Sequence, residues 1–181
     1  MGSRYLLALF LCCSGFCVDL AAGPACGIYQ NSPMQTGTAE GSLIGGEVIL
    51  RETADGLHIQ ATLTGVPEGK HGFHIHEFGD VGNGGKNAGG HYNPEETQHG
   101  YVPREGIEFA HAGDLGNIEI GSDGRGGLTV LVPNLCLTGG KYNVAGRAII
   151  VHEKEDDFGQ PTGNAGSRIA AGSILLVNGE G

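Results

Sequence analysis

Positive charge is scarce in this chain of 181 residues. Ten Lys and Arg stand against twenty Asp and Glu, for a net charge of −10. An acidic surface of this kind argues against nucleic acid or an anionic membrane as a partner. Long apolar runs are also scarce. The run "YLLALFLCCSGFCV" near the N-terminus has about 14 residues, too few to span a bilayer. No later run reaches spanning length, so no transmembrane segment is expected. No N-x-S/T sequon with a permitted middle residue occurs, since "NSP" at Asn31 does not qualify. No repeat of 34 or 42 residues appears, which excludes the common solenoids and propellers.

Cysteine is sparse as well, and its placement matters. Arg4 precedes the N-terminal apolar run and the small residues "AAGPA" follow it, the pattern of a secretory signal. Residues 1–22 are therefore expected to be a signal peptide, with cleavage between Gly15 and Ala25, and residues 23–181 a single domain. Cys12, Cys13 and Cys17 would leave with the leader. Cys26 and Cys136 would remain, in an oxidising compartment where two cysteines often pair. The sequence leaves that pairing open.

Glycine is abundant instead, at 35 residues and without a collagen period. That suits short strands and many turns and disfavours long helices. "LHIQATL" alternates, with Leu57, Ile59, Ala61 and Leu63 on one face and His58, Gln60 and Thr62 on the other. "GFHIHEF", "DLGNIEI", "GLTVLVP", "GRAIIVHE" and "GSILLVN" read as further strands. Residues 24 to 46 show only short apolar pieces. Two long stretches, 79–106 and 153–167, carry turn residues and read as loops, and loops of that length are more often functional than idle. The expected fold is an all-β sandwich or barrel.

Histidine is concentrated where the loops meet the strands. "HGFHIHEFGD" places three histidines in ten residues. In a strand His74 and His76 share a face, about 7 Å apart, so one ion can reach both. Ile75 points to the other face. Taken alone, H-x-H is a weak signal. His91, His99 and His111 follow in or beside the first loop, Asp114 comes three residues later, and His152 ends an apolar strand. Several imidazoles with one carboxylate and no thiolate suit copper and zinc. A metal would also order a glycine-rich loop that cannot pack by itself.

The stretches "HGFHIHEFGD", "NAGGHYNP", "HAGDLGN", "GRAIIVHEKEDD" and "TGNAGSR" together closely resemble the copper/zinc superoxide dismutases. The resemblance runs from about Glu47 to Val177 in the family's order. It implies an eight-stranded Greek-key β-barrel with two long functional loops, and one copper and one zinc ion per subunit. His74, His76, His91 and His152 would bind copper. His91, His99, His111 and Asp114 would bind zinc, with the His91 imidazole shared. Asp156 would link a copper ligand to a zinc ligand, Arg168 would stand at the mouth of the copper channel, and Thr162 would narrow that channel. His71 would be structural, while His58, outside the resemblance, reads as a solvated strand residue. The reaction implied is dismutation of superoxide to oxygen and hydrogen peroxide, with copper alternately reduced and reoxidised and His91 carrying a proton. Metals and Arg168 would give the channel a positive field despite the net charge.

The chain also departs from that family. Gly85 and Ala171 occupy the two positions of the usual disulfide. The second loop is short, with "FGQP" where the family carries steering charges, and the zinc loop is somewhat longer. A secreted enzyme is expected, as a homodimer joined through "GSILLV" and the region near Gly79 and Gly146. A non-catalytic metal-binding domain of the same fold is the alternative, and a copper-only variant is disfavoured by His99, His111 and Asp114.

Overall fold

A computed structural model describes residues 25–30, by their backbone, and residues 44–176. The expected leader, residues 1–22, lies outside the described residues. Among the described residues the strands are β1 (Ala25–Gln30), β2 (Gly45–Thr53), β3 (Gly56–Thr64), β4 (Gly69–His76), β5 (Asp114–Ile120), β6 (Arg125–Val132), β7 (Ala148–His152) and β8 (Arg168–Ser173). They close into a barrel in the order β1-β2-β3-β6-β5-β4-β7-β8, every pairing antiparallel. The helices are short: α1 has four residues (Val102–Glu105) within the first long loop.

The alternation read in "LHIQATL" is realised. Leu57, Ile59, Ala61 and Leu63 are buried, and Gln60 and Thr62 are exposed. They join Val48, Leu50, Phe73, Ile75, Leu115, Ile118 and Ile149 in one apolar core. Truncating one such side chain to Ala costs about 2–5 kcal/mol, because the lost transfer energy is joined by a cavity. His58 is half-buried rather than fully solvated. Its strand is central, and Arg51 and Leu131 stand opposite it on the two neighbouring strands.

Two strand readings need correction. β1 was not legible among the glycine- and polar-rich residues 24 to 46. It exists because it closes the barrel, pairing Cys26 with Val48 on one side and Tyr29 with Ala171 on the other. The last strand is Arg168–Ser173, not "GSILLVN". Its pairing with β7 runs from Ala148↔Ser173 to His152↔Arg168, and the small residues Ala170 and Ala171 fit between neighbouring strands. Ile174 is buried beyond the strand end, while Leu175 and Leu176 turn out to solvent.

Cys136 is half-buried with a free thiol, and the side chain of Cys26, its possible partner, lies outside the described residues. At the family's disulfide positions, Ala171 packs with Ala88, Ala148 and Ile150, and Val81 borders the cluster. Gly85 beside them adopts φ 77°, a left-handed conformation that suits glycine.

Candidate metal centre

β4 supplies the stiff part of the site. Phe73 and Ile75 face the core, and the intervening His74 and His76 face outward. The outward face is nonetheless buried, because both long loops cover it. β7 lies alongside, with His74 opposite Ile150 and His76 opposite Ala148, and the strand delivers His152 at its end. Space for this cluster comes from Gly72. A Cβ there would sit 2.8 Å from the Cβ of Ala165 and 3.1 Å from His74 Cε1.

The first loop is stitched to β4 through its backbone. Tyr92 N–H donates to Ile75 O at 2.8 Å, Ile75 N–H to Gly113 O at 2.9 Å, and Gly113 N–H to Tyr92 O at 2.9 Å. A Cβ on Gly113 would strike Ile75 O, so only glycine allows this approach. The stitch fixes His91 on one side and His111 and Asp114 on the other.

Two groups of four potential ligands result, His74, His76, His91 and His152, and then His91, His99, His111 and Asp114, besides the trio His74, His99 and Asp156. All are buried, and within each group the ligand atoms lie within 4.8 Å of one another. His91 belongs to both groups of four. Its ring centroid is 4.2 Å from that of His74, 5.0 Å from His76, 5.3 Å from His99 and 5.6 Å from His111. Every ligand residue expected from the sequence is therefore brought together.

Outer partners fix which ring nitrogen of each histidine is left as a lone pair. His76 Nδ1–H donates to Gly89 O at 3.0 Å and His152 Nδ1–H to Gly166 O at 3.3 Å, leaving both Nε2 atoms free. Those two Nε2 atoms are 3.4 Å apart. His74 Nε2–H donates to Asp156 Oδ2 and His99 Nε2–H to Asp156 Oδ1, each at 2.9 Å. Their Nδ1 atoms are buried without any hydrogen-bond partner. His99 Nδ1 even lies 2.7 Å from Asp114 Oδ2 without hydrogen-bond geometry. The space between these two atoms calls for positive charge, a proton in the metal-free protein or a cation held by both donors. The residues present therefore fit both ions: imidazole nitrogens alone for copper, and three imidazoles with one carboxylate for zinc.

Burial and like charge keep His76, His152 and His91 neutral. Burial first, then the neighbouring His91, lower the His76 pKa to about 2. Burial and then His74 lower His152 to about 3. Burial lowers His91 to about 4, against the opposing hydrogen bond that its Nδ1–H donates to Asp114. At His99 burial is outweighed by the Asp114 and Asp156 carboxylates beside the ring, and the pKa rises to about 9. Burial also opposes ionisation of Asp114 and Asp156, but their histidine partners hold both well below the usual carboxylate range.

Arg168 stands opposite His152 across the β7–β8 ladder and adds positive charge near His76 and His152. Its Nη1 donates to Gly85 O and its Nη2 to Gly89 O at 2.6 Å. The same guanidinium therefore ties down the loop that lacks the disulfide. Thr162 is exposed beside Gly163. His71 has Nδ1 2.9 Å from His152 O and Nε2 2.9 Å from Pro67 O, a backbone-holding role as expected.

Several residues of this neighbourhood were not singled out in the sequence as site residues. Asn117 pairs with the Asp156 backbone, accepting from its N–H at 2.7 Å and donating to its C=O at 2.9 Å. Gln160 does the same to His99, accepting at 3.0 Å and donating at 2.8 Å. Gly163, at φ 76°, lies against both Asp156 Oδ1 and His99 Nε2. Asn117 falls within a motif of the resemblance. Nothing in the local pattern marks Gln160.

Comparison with known proteins agrees with this geometry. The family described as copper/zinc superoxide dismutase matches residues 44–174. The extracellular superoxide dismutase [Cu-Zn] of Caenorhabditis elegans is 43% identical over 139 residues, 73% of this chain and 61% of that protein. This chain therefore spans less than two thirds of the nematode protein. The Drosophila melanogaster protein of the same name is 46% identical over 125 residues, 65% of this chain and 67% of the fly protein. Among solved structures, a SOD-like protein from Bacillus subtilis, crystallised as a double mutant, superposes with TM-score 0.70 at 34% identity, covering 84% of this chain and 97% of that one. The clock protein EA4 superposes equally well, with TM-score 0.70 at 33% identity, covering 86% and 96%. The chain belongs to the copper/zinc superoxide dismutase family, and copper and zinc are the ions its histidine groups serve.

Proposed function

We propose that this chain is a secreted superoxide dismutase that converts superoxide to oxygen and hydrogen peroxide. The observation that carries the reading is His91, whose one ring touches both ligand groups. Copper would be held by His74, His76, His91 and His152, and zinc by His91, His99, His111 and Asp114. Copper supplies the one-electron chemistry in both directions, which zinc cannot. The chain's own residues do the rest. Arg168 presents positive charge to an anionic substrate, so local field outweighs the net charge of −10. Thr162 is its companion at the channel. His91 has Nδ1 committed to the Asp114 side at 2.7 Å, which leaves Nε2 as the nitrogen that would first take up a proton from solvent and then pass it to the peroxide product. Asp156 orients one ring from each group.

The test is metal analysis with a superoxide-consumption assay on the purified protein. One copper and one zinc per chain are expected, with activity abolished in His76→Ala while the fold persists. A metal-loaded protein that leaves superoxide untouched would instead identify a non-catalytic binding domain. That alternative is disfavoured by the complete ligand set together with Arg168.

Secretion rests on the expected leader, residues 1–22, and on relatives that are named extracellular. A homodimer is supported by Phe78, Leu175 and Leu176, which are 58%, 61% and 54% exposed. They belong to one region, since Ser173 Oγ donates to Gly79 O and Gly146 N–H to Ile174 O. An apolar patch of this sort on a secreted protein calls for a cover. Sedimentation should give twice the chain mass, reduced to one by Leu175→Glu.

A further inference from the structure

We propose that Phe158 and Gln160 are positioning residues that fasten His99 into the zinc group and set how slowly zinc leaves it, an inference that rests on the zinc assignment above. Of the four zinc-side residues, His99 sits on the least supported backbone. His91 is bridged to His76, Asp114 opens β5, and His111 is three residues from Asp114. His99 lies in an irregular segment with no strand neighbour. Its backbone N–H and C=O still need partners, and both come from one side chain. Gln160 accepts from His99 N–H at 3.0 Å and donates to His99 O at 2.8 Å, the pattern that a ladder strand would otherwise supply.

Phe158 closes the same residue from another side. Its ring is stacked near that of His99, with centroids 6.4 Å apart and planes inclined by 20°, and it meets Tyr101 edge-on at 6.1 Å. Its amide donates to Asp156 Oδ1 at 2.8 Å, the oxygen that also accepts from His99. Phe158 adopts φ 59°, a left-handed conformation that a phenylalanine rarely takes. Such backbones persist where surrounding contacts over-determine them, and they gather at ligand clamps. The turn at 158–160 thus touches the backbone of His99, its ring and its carboxylate partner. Asn117 holds the backbone of Asp156 in the same bidentate manner, so both members of the His99–Asp156 pair are pinned. A ligand on loosely supported backbone is the first to detach, because local opening there costs least.

The experiment uses the full metal-loaded protein and follows zinc release into a chromophoric chelator. It is joined by the visible spectrum of protein carrying cobalt(II) in place of zinc, which reports ligand geometry directly. Gln160→Ala removes the backbone clamp at an exposed position. Phe158→Gly removes the ring and suits the left-handed backbone, so the fold is not penalised. Gln160→Glu keeps the acceptor but sets an oxygen against His99 O. Gln160→Ala and Phe158→Gly should each release zinc about tenfold faster than wild type and shift the cobalt spectrum, as loss of an outer-shell partner does. Gln160→Glu should release it at least as fast as Gln160→Ala. Release within about twofold of wild type, a difference smaller than one lost hydrogen bond produces, with an unchanged cobalt spectrum, would overturn the proposal while leaving the zinc assignment standing. A wild-type protein that takes up neither zinc nor cobalt at this group would overturn the assignment and the proposal together.

Discussion

Gly163 and Gly139 have the same backbone angle, φ 76°, in very different surroundings. A Cβ on Gly139 meets nothing within 4 Å, whereas a Cβ on Gly163 meets Asp156 Oδ1 and, at 2.6 Å, His99 Nε2. Changing each to alanine therefore separates backbone strain from loss of the carboxylate bridge. Strain alone costs about 1–2 kcal/mol for a left-handed L-residue, and Gly139→Ala should show only that. In Gly163→Ala the Asp156 carboxylate must also withdraw. It then gives up a 2.9 Å bond to His99 and a 2.8 Å bond from the Phe158 amide. Hydrogen bonds to a charged group are each worth about 1.5–3 kcal/mol, so Gly163→Ala should lose at least about 3 kcal/mol more than its control. Urea unfolding of chelated protein measures this, as a midpoint shift at unchanged slope. Zinc titration of the refolded variant should show affinity lowered about 10–100-fold. If the two variants unfolded within about 1 kcal/mol of each other, less than one such bond, the carboxylate bridge would not have the structural weight assigned to it.

The pH dependence of the chelated protein should have two signs. His76, His152 and His91 have folded pKa values of about 2, 3 and 4, all below the 6.5 of the unfolded chain. The unfolded state binds more protons below 6.5, so stability should fall as pH drops from there towards 4, by about 1.4 kcal/mol per pH unit for each withheld proton. His99, at about 9, is raised instead, so its contribution is present below 6.5 and lost as pH rises through 9. Chelated protein should be most stable near the unfolded value, and a flat unfolding profile from pH 7 to 5 would refute this. Arg168→Lys keeps the charge but loses the fork to Gly85 O and Gly89 O, so hydrogen exchange at residues 85–89 should quicken while the salt dependence of the rate survives. Metal removal should lower the melting temperature substantially, because the His91 loop is closed by packing and hydrogen bonds without a disulfide. Apo and metal-loaded forms melting within a few degrees would count against that account.

Much of the site was legible because its chemistry is carried by a rare residue at constrained spacing. His74 and His76 share a strand face by backbone geometry, and that inference needed no fold. The convergence of His91, His99, His111 and His152 did not follow from spacing, since residues from separate strands and loops meet only through barrel closure. Strands with regular alternation, such as β3, could be read directly. β1 could not, because it is held by pairing on both edges rather than by its own apolar pattern. The run "SILLV" looked like a strand, but the ladder register stops at Ser173 and sends Leu175 and Leu176 to solvent. The clamping roles of Gln160 and Asn117 were hidden for a different reason. An amide that clamps a distant backbone leaves no periodic trace, and its partner is 61 residues away for Gln160 and 39 for Asn117.

Where the family resemblance implies a sulfur bridge, this chain has the alanine and isoleucine cluster of Ala88, Ala148, Ile150 and Ala171, with Arg168 gripping Gly85 from outside. Closure of the copper-side loop accordingly needs no electron acceptor. Thiol reagents should therefore have no hold on that step.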